Sequence, residues 1–240
     1  MAVDKTPARY DEIADFYEGF APDTYDDSMA VALLGMVGDV QGLRVLDLAC
    51  GQGRMTRELA RRGGRVTGVD ISGAQLEKGR TREQNEPLGV SYVHEDAALP
   101  GALAGQEFDM VVCHFGMSDI DDLEGVVATV ARVLRKGGRF IFSIVHPCFP
   151  GWEGKRASPS WQPGTGYFEE KWWLSQGPPG GVRTKVGANH RMLSTYINTL
   201  VLNGLAIEEM AEPKPPEEWM EVAPVVGAVP IYLVMGCRRL

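Results

Sequence analysis

Ten residues, Val45 to Arg54 (VLDLACGQGR), place an acid, a run of small residues and two glycines in a spacing that serves ligand binding. Gly51 and Gly53 have no side chains, so a ligand can come close to the main chain, and the start of a following helix offers it free N–H groups. Asp70 closes the next apolar run (RVTGVD) about 20 residues on, where a carboxylate accepts both hydroxyl hydrogens of a ribose. Asp96, in HEDAALP, follows a third run and can receive the exocyclic amine of adenine. Three acids on one rim, Asp47, Asp70 and Asp96, suit a neutral or cationic nucleoside and would repel a pyrophosphate. Thr56 stands where G-x-G-x-x-G requires its third glycine, which argues against a dinucleotide.

Histidines supply the second set of candidates. His146 ends the run GRFIFSIVH, and Pro147 forces an extended exit that can turn the imidazole into a cleft as a base or substrate anchor. The alternative is a structural role, holding the backbone of the segment that follows. His190, with Arg191, precedes the return of regular pattern and either reaches the same rim or stands at a helix start in solvent.

These residues need a scaffold, and its pattern is regular. Short β-type runs at 44–49, 65–70, 90–95, 108–114 and 138–146 alternate with helical patterns. RMTRELARRG stops at Gly63 and Gly64, Ser72 can cap a helix through GAQLEKGRTREQNE, and DDLEGVVATVARVLRKGG has acids in its first turn, with bases and Gly137 in its last. Such alternation predicts a doubly wound α/β sheet covered by helices on both faces. Residues 147–189 break it with prolines, glycines and aromatics and read as an insertion. RMLSTYINTLVLNG at 191–204 predicts a helix, and LAIEEMAEP and VPIYLVMGCRR two last strands around the acidic, proline-rich turn 213–224.

A chain of 240 residues buries one sizeable core, so a single domain is expected. Its net charge of −8 lacks the basic footprint of a nucleic-acid binder. A charged N-terminus and the lack of an apolar run near the roughly 20 residues that span a bilayer predict a cytoplasmic protein that meets no membrane. The four cysteines have no zinc-type spacing, HEDAA is not H-E-x-x-H, and no metal is expected.

S-adenosylmethionine, with its adenine, ribose, sulfonium and amino-acid tail, matches an acid before a glycine turn, a ribose acid and an adenine-side acid. Here the chain resembles the class I S-adenosylmethionine-dependent methyltransferases of the small-molecule type. VLDLACGQGR looks like their glycine-rich first motif, VTGVDIS their ribose-binding strand end and EDAALP their adenine-side segment. FDMVVCHFGMSDIDD and VLRKGGRFIFSIVHP look like their fourth and fifth strands. The resemblance implies a Rossmann-like sheet of seven strands, mostly parallel with an antiparallel last strand. It divides the domain into an N-terminal helical lid (1–40), a cofactor core (41–146), the insertion (147–189) and a C-terminal helix with two strands (190–240).

By position, the resemblance gives Asp47 and the backbone at Ala49, Gly51 and Gly53 to the methionine part of the cofactor. Asp70 and Ile71 take the ribose and adenine face, Asp96 and Ala97 the adenine, and Cys113 or His114 the main-chain edge near the sulfonium. Tyr10 and Tyr17, two helical turns apart in ARYDEIADFYEGF, share a face and either contact the cofactor or pack the lid helix on the sheet. In the insertion Phe149, Trp152, Trp161, Tyr167, Phe168, Trp172 and Trp173 form a lid selecting a planar or apolar acceptor, or else a satellite core or homodimer contact.

The implied activity is in-line methyl transfer to oxygen or nitrogen of a small molecule. Its rivals are a protein of the same fold that binds the cofactor and transfers no methyl, such as a cyclase, and an NAD-linked reductase. The reductase rests on Tyr167 and Lys171 matching Y-x-x-x-K inside the insertion, without a glycine fingerprint, and is discounted.

Overall fold

A computed structural model describes residues 8–20, 25–99, 101–149, 152–153, 156–157, 166–174, 181–215, 217, 220 and 228–240. Seven strands form one sheet: β1 (Arg44–Leu48), β2 (Arg65–Asp70), β3 (Ser91–His94), β4 (Phe108–His114), β5 (Leu134–Val145), β6 (Leu205–Ala211) and β7 (Tyr232–Arg239). Their order is β6–β7–β5–β4–β1–β2–β3. The first five are mutually parallel, while β7 runs antiparallel between β5 and β6, as expected of a doubly wound sheet with a reversed last strand. Strand order reverses between β1 and β4, and ligands of such sheets bind beyond the carboxyl ends at that point.

The period-2 alternation of the strands explains why helices cover both faces. Val45 points into one apolar cluster with Met29, Leu33, Met55 and Leu59, while Leu46 and Leu48 point into the other with Val126, Val130 and Leu200. The first cluster comes from α2 (Ser28–Val37) and α3 (Arg54–Arg61), the second from α5 (Leu123–Val133) and α6 (Leu193–Leu202). Helix α4 (Gly73–Asn85) starts on Ser72, whose hydroxyl accepts from the Gln75 N–H at 3.2 Å. Helix α1 (Ala14–Phe20) stays off the sheet clusters, whereas residues 25–40, read with it as the lid from sequence, supply core.

Two further readings change. The helix expected to run through RKGG stops at Val133, because Leu134 is fully buried in β conformation and opens β5. Arg135, expected in the last helical turn, lies on that strand and pairs with Asp109 at 2.6 Å. Tyr10 lies in a turn before α1 and not on it, yet its ring meets that of Tyr17 edge-on at 5.3 Å. Within the insertion, short ribbons pair Trp152–Glu153 with Arg156–Ala157 and Lys171–Trp173 with Ala188–His190. Trp161, the Trp152 side chain and most of the turn 213–224 lie outside the described residues. Among the described residues no helix is long and apolar enough to cross a membrane.

Candidate active site

β1 ends at Leu48 because the backbone then turns left-handed: Ala49, Gly51 and Gly53 have φ of 55°, 54° and 77°. Only glycine adopts this region without strain, and the result is a tight elbow in front of α3. Gly53 has a second constraint, since a Cβ there would run into the Tyr92 hydroxyl. It therefore shapes the elbow from behind and does not line the cavity assigned to it from sequence. As the N-cap of α3 it carries no side chain to close the first helical turn.

Two acids converge on this elbow. Asp47, 1% exposed, accepts from the Thr56 hydroxyl at 2.6 Å, and burial raises its pKa to about 7 against that bond, with the Asp70 charge adding to the rise. Asp70 accepts from the Gly51 N–H at 2.7 Å through one oxygen and from the Ser72 N–H at 2.8 Å through the other. Burial raises it to about 6 despite those bonds. Neither acid has an ion-pair partner among the described residues. Beside them Gln52 and Gln75 are each 1% exposed, with side-chain amides that find no hydrogen-bond partner among the described residues.

Acids and amides face a cavity of about 640 Å³, within the size of small-ligand sites. Of the cofactor residues expected from sequence, Tyr10, Tyr17, Asp47, Ala49, Gly51, Asp70, Ile71, Asp96, Ala97 and His114 line it. Cys113 does not: it is fully buried beneath Gly116, which would meet its sulfur with any Cβ. Across the cavity the wall is aromatic. Rings run from Tyr25 to His114 at 5.8 Å, to Phe115 at 4.9 Å and on to Tyr232 at 5.9 Å. Burial pushes the His114 imidazole down to about 4, so the ring is neutral at pH 7.

The cover is built from two distant segments latched to the loop after β4. Asp119 accepts from the Tyr10 hydroxyl at 3.1 Å and pairs with Arg183. Asp121 takes both arms of Arg9, at 3.0 and 2.9 Å, and the Asn189 amide at 2.9 Å. Arg191 donates to the carbonyls of Met117, Ile120 and Asp121, and the Arg9 guanidinium sits 5.4 Å over the Trp172 ring.

Phe149, Trp172 and Trp173 line the cavity, and Tyr167 does not; its hydroxyl accepts from the Leu193 N–H at 3.2 Å. His146 lines it too, but its Nδ1 accepts from the Cys148 N–H at 3.0 Å and its Nε2 is 3.0 Å from the Glu212 carboxylate. The Cys148 N–H occupies Nδ1, and Nε2 faces the Glu212 carboxylate without a hydrogen bond, which fits the anchor of the following segment better than a base. His190 ends a ribbon strand and not a helix start in solvent; its Nε2 is 2.9 Å from the Tyr167 carbonyl and its ring lines the cavity.

Sequence reasoning missed Thr56, Gln52 and Gln75, the Asp119–Arg183 pair, and the aromatics Tyr25, Phe115 and Tyr232. Thr56 was legible as the third position of the broken glycine fingerprint: its hydroxyl replaces that glycine and holds Asp47. The others carry no local pattern.

A glycine elbow at the switch point, a carboxylate ending β2 and a lid over both define a Rossmann-like protein for a nucleoside cofactor. Residues 46–142 match the family model of the methyltransferase domain. An S-adenosylmethionine-dependent methyltransferase of Mesorhizobium loti superposes with a TM-score of 0.69 at 27% identity, over 89% of this chain and 99% of that one. The magnesium protoporphyrin IX methyltransferase of Synechocystis, with S-adenosylhomocysteine bound, shares the fold at 16% identity and a TM-score of 0.62, over 97% and 96% of the two chains. A ubiquinone biosynthesis O-methyltransferase of Klebsiella pneumoniae is 31% identical over 115 residues, 48% of each chain, so this chain spans about half the length of the curated relatives it matches. Over residues 46–142 the chain thus resembles the methyltransferase domain, and over most of its length it is similar in fold to S-adenosylmethionine-dependent methyltransferases.

Proposed function

We propose that this protein transfers a methyl group from S-adenosylmethionine to oxygen or nitrogen of a small-molecule acceptor in the cytoplasm. One observation carries the reading: the buried Asp47 and half-buried Asp70 carboxylates stand at a bare backbone elbow without an ion-pair partner among the described residues. Burying charge without a counter-charge is costly, and a cationic ligand relieves it. The unpartnered amides of Gln52 and Gln75 fit the same ligand, as donors and acceptors for its amino-acid and nucleoside groups.

When bound, S-adenosylmethionine supplies a methyl carbon on positively charged sulfur. Asp47 and the elbow hold the amino-acid end, Asp70 and Ile71 the ribose, and Asp96 and Ala97 the adenine side. Tyr10 and Tyr17 close over them. The aromatic wall and the cover of Trp172, Trp173 and Phe149 exclude water and fix the acceptor, since orientation alone is worth several kcal/mol, up to about 7–11, in such displacements. Where the nucleophile must lose a proton, His190 is the candidate base, since it lines the cavity and the Tyr167 carbonyl fixes its ring through Nε2. The Klebsiella relative's name supports oxygen as an acceptor atom. The acidic net charge supports a small molecule over a nucleic acid, and exposed Phe168 and Leu174 at the insertion suit contact with a second copy.

The test is transfer of label from methyl-tritiated S-adenosylmethionine into a small-molecule extract. Labelled product is expected; cofactor binding with no product from any fraction would favour the non-transferring relative of the fold.

A further inference from the structure

His114 ends β4 beside Ser143 of β5, its register partner in the parallel pair. Ser143 is fully buried, and its hydroxyl oxygen accepts from the Phe115 N–H at 3.2 Å while lying 3.0 Å from His114 Nδ1. A hydroxyl has one hydrogen to give, and this one has no other acceptor among the described residues than Nδ1. Were Nδ1 to carry the imidazole proton, the oxygen would receive two N–H bonds and its own hydrogen would be buried without a partner. The accounting therefore fixes the tautomer, with the lone pair on Nδ1 and the hydrogen on Nε2. The backbone enforces the arrangement: Phe115 sits at φ 66°, strained for a bulky residue, with its N–H bound to the carbonyl and hydroxyl of Ser143.

The ring lines the cavity, and with Nδ1 turned to Ser143 the remaining nitrogen is Nε2. Tyr25 and Phe115 pack against the His114 ring and Tyr232 against Phe115, and all three flat faces also line the cavity. We infer that His114 is a fixed hydrogen-bond donor in the acceptor half of the site, and that the acceptor is a planar ring bearing a neutral hydroxyl or carbonyl oxygen received by His114 Nε2–H. This rests on the methyltransferase reading for the word acceptor; the donor itself does not. His114 thereby moves from the cofactor edge, where the resemblance placed it, to a positioning residue that selects the acceptor. As a permanent donor it takes no proton from the nucleophile, and it aligns the ring bearing that nucleophile.

Nitrogen-15 NMR of protein labelled in its four histidines tests the tautomer directly. At pH 7 His114 should show the Nε2–H form, and Ser143→Ala should turn it into a mixture. With saturating S-adenosylhomocysteine, catechol should shift the Nε2 resonance and bind about tenfold tighter than toluene, the scale of one hydrogen bond. His114→Gln, which keeps a donor, should retain the preference; His114→Phe, which keeps the shape, should lose it. An Nδ1–H tautomer in the wild type, or a catechol preference no greater than that of His114→Phe, overturns the inference; if Ser143→Ala fails to fold, the wild-type spectrum still decides. Failure of S-adenosylhomocysteine to bind would instead sink the methyltransferase reading and leave the tautomer result standing.

Discussion

The two halves of the cavity are built by different means. The half proposed for the cofactor is backbone: a left-handed elbow from 49 to 53, pinned to the end of β2 by Asp70 and backed by Tyr92. Side chains from three distant segments make the cover, with Asp119 and Asp121 latching residues 9–10 to residues 183–189. Backbone held by neighbouring strands is set once the sheet forms, whereas a cover held by a few side-chain pairs, one partly exposed and one largely buried, can open. A site that must retain one cofactor type while admitting an acceptor needs this division.

The contrast predicts unequal effects. Asp70→Ala removes both the carboxylate proposed to hold the ribose and the tie on Gly51, and should weaken S-adenosylhomocysteine binding about 10- to 100-fold, or about 1–3 kcal/mol, by calorimetry. Asp70→Asn, which still accepts one N–H, should fall between. His146→Ala loses the Cys148 N–H bond and the Glu212 contact outside the elbow. It should lower stability by about 1–2 kcal/mol, a melting shift of roughly 2–8 °C, with cofactor affinity within about twofold of wild type. A large affinity loss there would erase the boundary between the halves. Arg9→Ala breaks a half-exposed ion pair and should change cofactor affinity by no more than about threefold. A double-mutant cycle with Asp121→Asn measures the latch, and a coupling of several kcal/mol would make the cover as fixed as the elbow.

The same division explains what was legible in the sequence. β2 and β4 match their expected bounds to the residue, since an apolar run between charged or glycine-rich ends reports burial directly. Asp47, Asp70 and the glycines could be placed because their geometry comes from strand ends and φ values, which are local properties. RKGG misled because bases followed by glycine mimic a helix stop, while the burial of Leu134 that overrides it depends on the neighbouring strand. The latch was invisible: Tyr10 and Asp119 are 109 residues apart, and Arg183 and Asp119 are 64 apart. No periodicity links such positions.

Asp47 and Asp70 have no counter-charge among the described residues. At pH 6.5, carboxyls with pKa values of about 7 and about 6 together hold about one proton that a cationic ligand must displace, so affinity rises with pH across this window. Calorimetric titration with S-adenosylmethionine at pH 6.5, in buffers of different ionisation heat, reads that proton. Release of about one per bound cofactor is expected; binding with no proton exchange, or binding of NADH where S-adenosylmethionine gives no heat, would contradict it.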